Sequence, residues 1–220
     1  INLGCPFPMI AGKHKGAGML LYPAQVAEVL APIAEYPEIQ FSLKMRLGWE
    51  NASECMVLVE LLNTLRLSRI ALHARTGKQQ YKGHPDLEAF QGFYELCQHP
   101  LYYNGGIESL SDIRQILIRF PLLKGVFIGR GLLSSPLLAK EFKGNETFLP
   151  EQRMSIYFAF HEELFSAYSQ VLQGETQLLV KMKTLWEYFL PETDRKLLKR
   201  IKKSTRLQQY TESVKAIFTS

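Results

Sequence analysis

The residue of this chain best suited to chemistry is the cysteine in Asn2-Leu3-Gly4-Cys5-Pro6. An unperturbed thiol has a pKa of about 8.5, so near neutrality most of it keeps its proton and can act as a general acid. A nearby base or cation would instead make it a thiolate nucleophile, and the residues alone leave both roles open. Two glycine-rich turns, Asn104-Gly105-Gly106 and Gly129-Arg130-Gly131, have the composition of a phosphate cradle. Glycine lets backbone amides approach an anion at a helix start, and an arginine adds a bidentate contact. Lys44 is a cation suited to the electron-rich end of a cofactor ring, and His73 can hydrogen-bond such a ring or sit in the core. Arg46 and Arg75, each two residues further on, suit an anionic or nucleobase ligand. The loop Gly12-Lys13-His14-Lys15-Gly16-Ala17-Gly18 is expected to be mobile, either closing over a substrate or lying on the surface.

These residues need elements to hold them. Apolar runs at Ile1–Gly4, Ile39–Met45, Arg69–His73, Leu101–Asn104 and Gly125–Ile128 alternate with helical patterns at Pro23–Tyr36, Ala52–Leu65, Asp86–Gln98, Ser111–Phe120 and Pro136–Phe142. That rhythm predicts α/β units on a parallel sheet. Every chemical motif falls where a strand ends, the rim on which (β/α) barrels build their sites. After Lys143-Gly144-Asn145 the rhythm stops, and the chain reads as helices at Glu151–Leu172, Gln177–Phe189, Asp194–Lys203 and Tyr210–Phe218. The predicted domains are therefore a barrel portion at 1–145 and a helical domain at 146–220.

With 46% hydrophobic residues the 220-residue chain can build a sizeable core. No long uncharged apolar run reads as a membrane span, and Cys5, Cys55 and Cys97 suit neither a disulfide framework nor a metal site. A soluble protein of the reducing cytoplasm is expected. The net charge of +5 arises mainly near the C-terminus, where Arg195, Lys196, Lys199, Arg200, Lys202, Lys203 and Arg206 share one stretch. Such a stretch meets phosphate backbones or is a solvated helix face. The chain opens at Ile1 inside a strand pattern, so it is read as a fragment, or as the product of a gene that lost its beginning.

Taken in order, the motifs just quoted, with Gly16-Ala17-Gly18-Met19-Leu20-Leu21, Lys44-Met45-Arg46-Leu47-Gly48-Trp49, His73-Ala74-Arg75-Thr76, Gln80-Tyr81-Lys82-Gly83 and Pro136, resemble those of the tRNA dihydrouridine synthase family over residues 1 to 142. The resemblance implies a TIM-type barrel that binds FMN, followed by a helical tRNA-binding domain, and reduction of D-loop uridines with NADPH as reductant. It implies Cys5 as the acid and Lys44 and His73 as flavin-ring contacts. Asn104, Gly105, Gly106, Gly129 and Arg130 would form the phosphate site, with Asn2, Arg46 and Arg75 at the uracil. Two departures stand out. Ala74 occupies a place where the family commonly has glycine, and the first barrel strands are absent. Five strands cannot close an eight-stranded barrel, so the chain alone is expected to be unstable or flavin-free. Another FMN barrel oxidoreductase acting on a small molecule, or an inactive RNA-binding remnant, remain the alternatives.

Overall fold

Along Phe41–Gly48, residues Leu43, Met45 and Leu47 are buried while Ser42 and Lys44 are only partly so, the period-two alternation of a strand with two unlike faces. In the computed structural model, which describes residues 1–219, this segment is β2, flanked by β1 (Asn2–Leu3), β3 (Leu67–Thr76), β4 (Leu101–Asn104) and β5 (Gly125–Phe127). All four pairings are parallel, and the spatial order is β1-β2-β3-β4-β5. A doubly wound sheet reverses its order at a switch point, whereas a barrel winds in sequence, so this is the arc of a partial TIM-type barrel.

Register sorts the side chains. Asn2 lies beside Lys44, Lys44 beside Ala71 and Ala71 beside Tyr102, while Arg46, His73, Asn104 and Phe127 form the next row. The opposite face carries Leu3, Leu43, Met45, Leu47, Ile70, Leu72, Ala74, Leu101 and Tyr103, all buried. It is covered by α3 (Glu54–Thr64) and α4 (Leu87–Leu96), with α2 (Pro23–Leu30) packed beside α3, and α5 (Leu110–Arg119) connects β4 to β5. Helix α2 is shorter than the apolar pattern predicts. At Ala31 it tightens into a 3₁₀ turn through Glu35, because Pro32 has no amide hydrogen to continue the helical ladder and crowds the preceding turn. A four-residue helix, α1 (Pro8–Ala11), and a 3₁₀ turn at Gly16–Leu21 follow β1.

Contacts divide the chain into two units, one of Ile1–Ile107 with Ser111–Ile128 and one of Glu108–Leu110 with the chain from Gly129 onward. The helix expected at Pro136–Phe142 is α7 (Leu138–Gly144), preceded by a further short helix, α6 (Arg130–Ser134), and both cluster with the helical unit. That unit continues with α8 (Pro150–Val171), α9 (Glu175–Leu185), α10 (Arg195–Lys203) and α11 (Leu207–Phe218) around Tyr157, Met182, Trp186, Phe189, Ile201, Tyr210 and Val214. On α10, Ile201 is buried and Leu197 and Leu198 half-buried, while Arg195, Lys196, Lys199, Arg200, Lys202 and Lys203 are exposed. No helix among the described residues is long and apolar enough to cross a membrane.

A directional hydrogen-bond chain fixes the helical core. The Trp186 indole N–H donates to the Tyr210 hydroxyl (2.9 Å), which lies 2.6 Å from Nε2 of His161, whose Nδ1 is 3.1 Å from a Glu162 carboxylate oxygen. A carboxylate only accepts, so Nδ1 carries the proton and a neutral His161 accepts from Tyr210 at Nε2. Burial lowers the His161 pKa, with Glu162 opposing. Below pH about 6.5 the unfolded chain therefore gains a proton at this histidine that the folded unit resists. Stability is fully present above that pH and declines as pH falls towards the lower folded value. Tyr210→Phe strands two buried polar groups and is expected to cost about 2 kcal/mol. Urea unfolding of wild type and variant at pH 7.5 and 5.5 checks both effects, and equal stability across all four measurements would contradict them.

Candidate active site

The cysteine loop is shaped by its neighbours on both sides. Oδ1 of Asn2 accepts from the Gly4 amide (2.9 Å), bending the chain as β1 ends, and the Cys5 carbonyl accepts from the Ala17 amide (2.9 Å). Gly16 has φ +56°, and a Cβ there would lie 2.7 Å from the Cys5 carbonyl oxygen; a Cβ on Gly18 would lie 2.3 Å from that of Ala11. Gly16, Ala17 and Gly18 are buried, and His14 stacks on Tyr22 with ring centroids 4.2 Å apart. Gly16 and Gly18 thus serve close packing, while Gly12, Lys13, His14 and Lys15 lie on the surface. The Cys5 side chain remains partly exposed.

Arg46, 1% exposed, ties the site together. Its Nε donates to the Gly4 carbonyl (3.1 Å), and its Nη1 to the carbonyls of Thr76 (2.7 Å) and Gln80 (2.8 Å). One planar guanidinium therefore joins the end of β1 to the segment leaving β3, geometry that a lysine cannot reproduce. Arg75 is similarly engaged, with Nη2 donating to the Gly83 carbonyl (3.0 Å) and Nη1 lying 3.2 Å from His73 Nε2. A guanidinium has no acceptor, so His73 accepts at Nε2, which places its proton on Nδ1. Expected at the uracil, both arginines direct these bonds to protein.

Lys44 reaches across the small side chain of Ala71, and its Nζ donates to Asn104 Oδ1 (3.1 Å) while Asn104 Nδ2 donates to the Phe127 carbonyl (2.7 Å). That pair of bonds orients the amide. Burial, reinforced by Arg46, lowers the Lys44 pKa, so the cation is poised to gain from a partner that accepts hydrogen bonds or negative charge. Gly105 (φ +136°) and Gly106 (φ +60°) follow at once, and a Cβ on Gly105 would come within 3.2 Å of the His73 ring. In the helical unit, Gly129 is exposed with space around its Cα and precedes Arg130, the first residue of α6.

Tyr81 received no role from the sequence. It is 55% exposed, its ring lies 5.5 Å from the Arg46 guanidinium carbon, and its centroid is 6.3 Å from that of His73. Its place in Gln80-Tyr81-Lys82-Gly83, beyond the end of β3, was the available signal. Burial drives the Cys55 thiol up to about 12 and raises that of Cys97, which removes both from thiolate chemistry near neutrality.

Cys5, Lys44, His73 and Asn104 come from three strands and one loop at the carboxyl ends of a barrel arc. The oriented lysine–asparagine pair, the histidine accepting at Nε2 and the glycine turn at Gly105-Gly106 have the hydrogen-bonding chemistry of a site for a flavin nucleotide. The fold and site therefore define the catalytic-rim portion of a parallel βα barrel joined to a helical unit. The sequence profile of dihydrouridine synthase (Dus) matches residues 1–219, and the chain belongs to that family. Similar curated proteins include a probable tRNA-dihydrouridine synthase of Aquifex aeolicus, 35% identical over 65% of this chain and 46% of its own length. A probable tRNA-dihydrouridine synthase of Rhizobium leguminosarum is 31% identical over 62% and 43%. The tRNA-dihydrouridine synthase B of Vibrio vulnificus is 26% identical over 69% and 48%. The chain spans about half the length of the curated relatives it matches.

Proposed function

We propose that the protein carrying this chain reduces the 5,6-double bond of D-loop uridines in tRNA, with FMN bound on the barrel rim and NADPH as the source of reducing equivalents. The observation that carries this reading is Lys44, His73 and Asn104 on one sheet face, in two neighbouring rows joined by the Lys44–Asn104 bond, beside a pinned loop that presents Cys5. Reduced FMN, when bound, supplies hydride to one carbon of the double bond. Cys5 gives the thiol proton to the other, so the base gains two hydrogens and the thiol must be reprotonated from solvent. Lys44 and His73 face the flavin ring; Asn104, Gly105, Gly106, Gly129 and Arg130 serve its phosphate.

Asn2 is exposed beside Cys5 and contacts the uracil, whereas Arg46 and Arg75 hold the segments around it. Tyr81 offers the base an aromatic surface at the mouth. The exposed cations of α10, none of them in an ion pair among the described residues, meet the RNA backbone. A loop uridine costs less to extrude onto a cofactor than a paired one. Whole protein supplied with FMN, NADPH and unmodified tRNA is expected to form dihydrouridine, with tRNA affinity falling steeply as salt rises. Reduction of a free pyrimidine with no salt-dependent affinity for tRNA would overturn the proposal.

A further inference from the structure

The segment after Cys5 carries an exposed apolar cluster that the reaction above does not use. Phe7 is 66% exposed, Met9 78% and Ile10 40%, on a stretch otherwise tightly tied down. The Ile10 and Ala11 amides both donate to the Phe7 carbonyl (2.9 and 2.8 Å), Pro8 opens α1, and the following glycines pack against Cys5 and Ala11. A stiff loop cannot fold such side chains away, so their exposure marks a surface that meets something. They lie beyond the carboxyl end of β1, past Cys5, and not on the strand whose edge a further strand would pair.

Charge identifies the partner. Lys13, His14 and Lys15 form the exposed tip of the same loop, and residues 1–27 contain no aspartate or glutamate at all. An aromatic side chain flanked by cations on a segment without acids is the make-up of a single-stranded nucleic-acid contact, in which bases stack on rings and phosphates meet the charges. Phe7 is two residues from Cys5, at most about 7 Å of chain. A base extruded towards Cys5 leaves its loop neighbour without a stacking partner, and Phe7 is in reach to replace it.

Resting on the tRNA reading above, we infer that Phe7, supported by Met9 and Ile10, stacks on the base of the nucleotide next to the target uridine while Lys13 and Lys15 contact the adjoining phosphates. Locking the loop in advance lowers the entropy lost on binding. Phe7 is thus a specificity residue set apart from the proton-transfer site.

The test measures tRNA binding directly, alongside turnover, using the whole flavin-loaded protein. Phe7→Ala is expected to raise both Kd and KM about tenfold with kcat within about twofold, and Phe7→Trp to restore them. On a tRNA with an abasic nucleotide beside the target, Phe7→Ala should cost nothing further. Lys13→Gln with Lys15→Gln should weaken binding to intact and abasic tRNA alike and flatten the salt dependence. Equal loss from Phe7→Ala on both tRNAs would overturn the stacking. A lowered melting temperature or lost flavin would overturn it too, by placing Phe7 against the rest of the protein. Because the binding measurement needs no turnover, a wild type that binds tRNA but makes no dihydrouridine would count against the proposed reaction and leave the stacking to be decided by the abasic comparison.

Discussion

Replacing Cys5 by alanine is expected to cut dihydrouridine formation by about 10²- to 10⁴-fold, the range spanned by a positioned general acid. The substitution removes one sulfur from a partly exposed site whose backbone is held independently by Asn2, Arg46 and Ala17. Folding and flavin content should therefore stay at wild-type levels, leaving the proton as the only loss. Cells lacking their own copy of the enzyme, complemented with wild type or Cys5→Ala, give the readout as dihydrouridine per tRNA. Unchanged dihydrouridine in the variant would remove Cys5 from the mechanism.

Arg46→Ala is expected to act just as strongly by another route. Three backbone carbonyls, of Gly4, Thr76 and Gln80, lose their donor at a site that is 1% exposed. Leaving a buried acceptor without its donor costs about 1 to 3 kcal/mol. The two segments it joins then lose their fixed spacing, and a displacement of about 1 Å at a reacting centre can cost roughly 100-fold in rate. Arg46→Lys should rescue little, since an ammonium cannot span the three acceptors. Urea unfolding and turnover of both variants decide the matter. A variant that is fully stable and turns over normally at saturating tRNA would show Arg46 to be a substrate contact alone.

The architecture was legible where alternation was strong. Phe41 and Leu43 against Ser42 and Lys44 announced β2, and β3 and β4 followed from similar apolar runs. Observed β2 nevertheless runs to Gly48 and β3 to Thr76, because the polar residues at their ends pair in the sheet while their side chains serve the rim. Composition left the loop of Gly12 to Gly18 open between closure over a substrate and a place on the surface, and gave no sign that Gly16 and Gly18 pack closely against Cys5 and Ala11. Arg46 was recognised as a site residue, but not as a brace, since its acceptors lie 30 to 42 residues away in sequence. Tyr81 was hidden for the same reason: only the return of its segment to the rim sets it beside His73.

The strand order carries a consequence for how the site comes into being. Each strand pairs with its predecessor in sequence, so the arc can grow one βα unit at a time. One bond of the site reaches past the neighbouring strand: Lys44 on β2 donates to Asn104 on β4, 60 residues away. The rim is therefore completed only after its supporting strands are in place. Until β4 has docked, the barrel wall can be largely formed while Lys44 still lacks the amide that orients it, so acquisition of the fold and acquisition of the site are separate events in time.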